Sequence, residues 1–157
     1  MSLLDLQKRI QVLEDIEAIK NMHRQYVFWL ATHEHWEDMV NCFTEDAIVD
    51  IRIYGPKFGK AEITKLFRNI ISEARVMTDS PRAGHFLMQP VIDVNEDRAI
   101  GHWLLDRMFD DVTTPGGPTL KMMRGRYDCE YKKENGKWKF RYLKWTVPWP
   151  VPPGATS

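Results

Sequence analysis

The sequence predicts an α+β fold in which long N-terminal helices pack on a strongly curved antiparallel sheet and enclose a pocket. Three observations predict it. Leu6, Ile10, Leu13, Ile16, Ile19, Met22, Tyr26 and Trp29 recur every three or four residues, with charged residues between them. The second half of the chain changes to runs that alternate with period two. Asn135 and Gly136 separate two of those runs, the strongest short hairpin signal in the chain.

The first stripe predicts a helix over residues 3–31, long enough that a bend is expected near Asp15. A short helix over 36–42 puts Trp36, Met39, Val40 and Phe43 on one side. Thr44, Glu45 and Asp46 form a polar break, and 47–54 is a strand rich in Ile and Val. Gly55, Pro56 and Gly59 are turn signals. A helix follows over 60–76, burying Ile63, Leu66, Phe67, Ile70 and Ile71, and then a loop over 78–81. Four strands complete the chain, over 85–94, 98–110, 120–132 and 137–147, as an antiparallel meander. The polar loop at 113–118 is the expected mobile segment. One domain is expected over 1–147, with a tail at 148–157 in which four residues of ten are proline.

Composition removes several classes of function. With 22 basic and 22 acidic residues the net charge is zero, so no long-range field draws in nucleic acid or an acidic membrane. No apolar run approaches the roughly 20 residues needed to span a bilayer. Cys42 and Cys129 form neither a metal spacing nor a disulfide framework. Together with the absence of a signal pattern at Met1 to Leu4, this gives an expected cytoplasmic location with free thiols. Six Trp, five Tyr and seven Phe are enough to fill a core or to line an apolar ligand site.

The candidate chemistry rests on His85, Arg107 and Tyr26. His85 follows Gly84 at a strand start, where a neutral imidazole is a base for an acidic C–H or simply a strand-end hydrogen-bond donor. Arg107 shares a strand face with Trp103, Leu105 and Phe109. If that face is the inner one, Arg107 enters the pocket and binds an enolate oxygen or a carboxylate. In the opposite register it is a solvated surface residue. Tyr26 is buried on the helix stripe, so its hydroxyl either meets a substrate carbonyl or makes a structural bond. Trp29, Tyr54, Trp103, Phe109 and Tyr127 are the candidate walls for a flat hydrophobic ligand, and Asp50, Arg52 and Tyr54 alternate along the first strand. His33, Glu34, His35 and Asp38 have a metal-like composition, but two His two apart on a helix end diverge, so no metal and no cofactor are expected.

Several stretches together resemble the SnoaL-like branch of the NTF2-like cone superfamily. They are Asp15 to Lys20 leading to Tyr26, Trp36, and Phe43 to Ala47. Gly84 with His85, Gly101 to Trp103, and Gly136 to Phe140 continue the series in the right order. The branch includes bile-acid 7α-dehydratase, scytalone dehydratase, a dechlorinating lyase and polyketide cyclases. The resemblance implies that His85 is a general base and Tyr26 a carbonyl-binding residue. The acid that orients the base in the family falls on Ala31, and a second acidic position of the bile-acid enzyme falls on Arg107. The expected function is a cofactor-independent lyase (dehydratase) or isomerase acting on a polycyclic, steroid-like or aromatic molecule. The alternatives are a non-catalytic small-molecule-binding protein and an accessory subunit of a ring-hydroxylating oxygenase. A homodimer or homotrimer is expected, with Tyr131 and Tyr142 as exposed strand residues suited to its interface.

Overall fold

The computed structural model describes residues 2–52, 54–77, 84–111 and 115–149, the side chains of residues 71–77 excepted. The first helix, α1, is Leu3–Thr32. Ser2 and Asp5 form a reciprocal capping box at its start, with bonds of 3.1 Å and 2.9 Å. The helix runs through Asp15 without interruption. Asp15 is tied to the sheet, accepting from Lys133 Nζ at 2.7 Å and Trp138 Nε1 at 2.8 Å. The helix ends at His33, which turns left-handed at φ 58° while its N–H donates to Trp29 O. Histidine is among the few side chains enriched in that conformation.

The buried face of α1 is shorter than its apolar stripe. Asp15, Ile19, His23, Tyr26 and Val27 are buried, whereas Leu6, Ile10 and Leu13 are exposed, Leu13 to 64%. Periodicity marks an amphipathic face but not how much of it the sheet covers.

Helix α2, Trp36–Asn41, leads directly into β1, Phe43–Ile51. The strand begins earlier than expected because the polar stretch at 44–46 is an irregularity inside it, with the register against its neighbour shifting between Phe43 and Ile48. Thr44 Oγ1 donates to Asp46 Oδ1, and Arg141 holds Asp46 from the next strand. Residues 55–58, expected as a turn, form a short strand β2, Gly55–Phe58, that pairs with β1. Pro56 is accommodated because β2 is an edge. Helix α3, Gly59–Met77, buries Ile63, Leu66 and Phe67. Ile71 and the loop at 78–81 lie outside the described side chains and residues respectively.

The meander is as expected: β3 (Gly84–Asn95), β4 (Arg98–Asp111), β5 (Thr119–Glu134) and β6 (Lys137–Thr146), each antiparallel to the last. Asn135 and Gly136 turn β5 into β6, both at positive φ. The sheet order is β2-β1-β6-β5-β4-β3, and β1 joins β6 in parallel, so the sheet is mixed. Residues 112–114 and 150–157, part of the expected loop and most of the expected tail, lie outside the described residues. Among the described residues no helix is long and apolar enough to cross a membrane.

Parity fixes the inner face. Ala99, Gly101, Trp103 and Leu105 of β4 are buried, as are Gly125, Tyr127, Cys129 and Tyr131 of β5. Trp138, Phe140 and Leu143 of β6 join them. Tyr131 is therefore 1% exposed and not an interface residue: its ring lies over Gly101, where a Cβ would come within 2.8 Å of it. Tyr142 is half-buried. Along this inner face burial is graded. The side chains just named are closed over by α1 and α3, whereas His85, Leu87, Arg107, Phe109 and Trp145 are only half-buried. Trp29 and His33 of α1, and Tyr54 beyond β1, share that intermediate state. The space between helix and sheet is thus fully packed at one end and only partly covered at the other, the open end.

Candidate functional site

At the open end, β3 and β4 place His85 directly opposite Arg107. Arg107 follows Trp103 and Leu105 on the inner face, so the strand register turns it inward. Its guanidinium carbon lies 5.0 Å from the centre of the Phe109 ring. Burial pulls the Arg107 pKa down from its usual value and the nearby Tyr54 phenol partly offsets this, but an arginine remains charged. Among the described residues no carboxylate forms an ion pair with Arg107.

His85 Nδ1 is buried and has no hydrogen-bond partner among the described residues. Burial, then the charge of Arg107, then His33 hold its pKa down to about 4, so the imidazole is neutral at pH 7. No carboxylate contributes to either shift. His33 reaches this neighbourhood because it caps α1, seven residues after Tyr26 and on the same helix face. That spacing was available in the sequence, where His33 was weighed only as a metal ligand. His35, its neighbour, faces Asp38 at 3.4 Å, and no three metal-type side chains converge among the described residues.

Tyr26 lies elsewhere. Its ring is edge-on to Phe43, Phe67 and Phe140, deep in the packed end. Burial foremost, with Tyr127 and Cys129 beside it, raises its pKa well above the ordinary phenol value. The Tyr26 and Tyr127 hydroxyls approach each other, yet no hydrogen bond of good geometry closes on Tyr26 Oη. No contact links Tyr26 to His85 or Arg107 among the described residues, so the structure brings together two of the three candidates and adds Tyr54 and His33.

The candidate walls divide in the same way. Trp103 and Tyr127 are buried in the packed end, while Trp29, Tyr54 and Phe109 are half-buried at the open end. Of the alternating set on the first strand, Asp50 faces Lys144 at 3.9 Å, Arg52 contacts Met123, and only Tyr54 acts on Arg107.

A second polar group was not anticipated. His23, fully buried, meets Tyr131 Oη through Nδ1 at 2.9 Å, and Trp103 Nε1 donates to the same oxygen at 2.9 Å. A phenol oxygen can serve both neighbours in either sense of the His23 bond, but His23 Nε2 has no partner in either. Burial alone lowers the His23 pKa to about 3. Its position four residues after Ile19 was the available signal, since it places a histidine on the apolar stripe. Trp145 Nε1 is a further buried donor without a partner, lying over Gly125 where a Cβ would overlap it. Buried groups left unmet are exceptions in folded proteins and mark places where something else binds or strain is held.

Comparison with known proteins bears on the family and the fold. The SnoaL-like domain family matches residues 11–144. Rv3472 from Mycobacterium tuberculosis, of unknown function, is similar at 22% identity and TM-score 0.71, over 96% of this chain and 79% of that one. A type 2 LinA hexachlorocyclohexane dehydrochlorinase is similar at 17% identity and TM-score 0.74, over 94% and 99%. A candidate scytalone dehydratase from Novosphingobium aromaticivorans is similar at 20% identity and TM-score 0.69, over 92% and 97%. No curated protein matches the chain. Likeness at such identities carries the fold and not the reaction. The match over most of its length means that the chain belongs to the SnoaL-like domain family.

Proposed function

We propose that the protein is a cofactor-independent lyase or isomerase, with His85 as the base and Arg107 as the group that holds the developing oxyanion. The observation that carries this reading is the directly opposed pair of His85 and Arg107 at the open end of an aromatic inner face. His85 would take a proton from carbon next to a carbonyl. The electron pair of that C–H bond would become the enolate C=C, and the carbonyl π electrons would move to oxygen, beside the guanidinium. Departure of a leaving group from the next carbon completes an elimination; return of the proton further along completes a double-bond shift. Tyr54, Trp29 and Phe109 would hold a hydrophobic polycyclic or aromatic substrate, with Tyr26, Trp103 and Tyr127 forming the base beneath it. Structural neighbours that include a dehydrochlorinase and a candidate dehydratase support elimination as the chemistry, while a candidate aromatic ring hydroxylase among them shows that fold alone does not select it.

The test is turnover of steroid enones, bile-acid intermediates and aromatic ketones by wild type and by His85→Ala. Consumption by wild type that falls at least a hundredfold in His85→Ala is the expected result. Equal turnover by both removes His85 as the base.

A second reading is a binding protein without catalysis. It is favoured by the environment of His85: with no carboxylate to orient it and a pKa of about 4, the imidazole is a weak base. Self-association is also part of the proposal, supported by Leu3, Leu4 and Leu13 exposed on α1 and by Phe86, Ile100 and Met122 exposed on the sheet. Sedimentation at several concentrations tests it, and a monomer throughout would end it.

A further inference from the structure

We propose that the molecule bound at the open end is an anion, an aromatic or alicyclic carboxylate whose carboxylate group pairs with Arg107 beside His85. This rests on the reading of that end as the ligand site and names the class of ligand it takes.

The contrast between Arg107 and the charged side chains elsewhere on the sheet carries the inference. Acidic side chains tied into the sheet already have cationic or donor partners. Asp106 receives two bonds of 2.7 Å from Arg124, Asp15 is met by Lys133, and Asp128 is met by His102 and Arg126. Arg107 stands apart: half-buried, inward-facing, stacked on Phe109, and with no carboxylate bound to it among the described residues. Withdrawing a guanidinium from water without a counter-charge is costly, and a protein recovers that cost when an anion arrives. The neighbours of Arg107 sharpen the point, since His85 opposite is neutral at pH 7 and Tyr54 is a phenol. A guanidinium presents five donors in a planar fork, which grips a carboxylate at two points and leaves donors for an adjacent oxygen.

The surroundings define the rest of the molecule. Phe109, Trp29, Leu87 and Trp145 present largely apolar, half-buried surfaces. Flat hydrocarbon suits these surfaces. His85 Nδ1, without a protein partner, is available to an oxygen or a proton on the same ligand.

Binding would also alter the base. The positive charge of Arg107 is one of the two principal influences that hold His85 neutral. A carboxylate on Arg107 cancels much of that field, so His85 accepts a proton more readily with the anion bound than without it. The site would then discriminate by charge before any reaction occurs.

The experiment is titration calorimetry of the full chain with naphthalene-2-carboxylate and with its uncharged amide. Neither compound has an acidic C–H or a leaving group, so binding is read without catalysis. The expected result is a carboxylate affinity at least tenfold above that of the amide in wild type. That preference should be lost in Arg107→Gln. Equal affinities, no binding of either compound, or a preference that survives Arg107→Gln would overturn the proposal. The wild-type comparison needs no variant and stands even if Arg107→Gln folds poorly. A charge preference without turnover of any ketone would count against the lyase reading alone; turnover of neutral ketones without a charge preference would count against this one alone.

Discussion

His85 and Arg107 face each other across adjacent antiparallel strands, an imidazole without a partner for Nδ1 beside a guanidinium without a carboxylate among the described residues. The guanidinium makes the imidazole less able to carry charge. Burial is the larger influence on the histidine, and Arg107 the next.

Arg107→Gln should therefore raise the His85 pKa from about 4, without returning it to the ordinary 6.5, because the burial remains. Proton–carbon NMR titration of the imidazole Cε1–H measures this directly. An unchanged midpoint would show that the two side chains do not sense each other.

His23 should make the protein acid-sensitive. Its pKa is about 3 in the fold against 6.5 when unperturbed. Between those values the unfolded chain binds a proton that the native state refuses, so stability falls as pH drops through that window and is unaffected above it. His85 adds in the same direction from 6.5 down to about 4. Urea unfolding from pH 7 to pH 4 should show a steep loss in wild type and a shallower one in His23→Phe. Parallel pH profiles would contradict the buried, neutral assignment.

Asp15→Ala should destabilise the fold by about 2–4 kcal/mol, since it removes two charge-assisted bonds and strands the buried Trp138 Nε1–H. Lys133→Ala should cost less, roughly 1 kcal/mol, because that ammonium keeps access to water and the Trp138 bond survives. Chemical denaturation of the two variants checks the order. Burial opposes ionisation of Asp15, but the bonds from Lys133 and Trp138 outweigh it and hold the carboxyl below its ordinary value. Its contribution is accordingly present above about pH 4 and lost below that.

Gly125→Ala should destabilise by about 1–3 kcal/mol through overpacking, because the added methyl overlaps the Trp145 indole. The indole must move and carry its unpartnered Nε1–H with it. A lowered thermal midpoint, with a change in near-ultraviolet circular dichroism, is the expected signature; an unchanged midpoint would mean that Trp145 has room to yield.

Much of this was readable from letters alone, and the exceptions have physical causes. The odd-numbered face of β4 was identified by period two, but only packing against α1 decides that Trp103, Leu105 and Arg107 point inward. The same parity applied to β5 would have put Tyr131 with Tyr127 and Cys129; it was instead read as exposed, although its ring fills the space above Gly101. The α1 stripe was recognised whole, yet the sheet covers it only from Asp15 onward. His33 and His23 share the α1 stripe by spacing, but their partners, His85 and Tyr131, lie on distant strands and leave no local signature. Tyr26 was correctly placed on the buried face; its separation from His85 follows from the depth of the core, which one-dimensional spacing does not measure.

The parallel pairing of β1 with β6 also constrains how the chain is made. β1 has β2 on one side, a partner only a few residues away, but its other edge is satisfied by β6, far along the chain, with Phe43 against Phe140. A nascent chain emerging from the ribosome can form α1, α2 and the β1–β2–α3 unit early, yet it holds an unpaired strand edge until β6 arrives. Closure is therefore a late event of high contact order, slow by comparison with the local meander. During synthesis that open edge is the place where a chaperone would protect the chain and where a neighbouring chain would most easily add on.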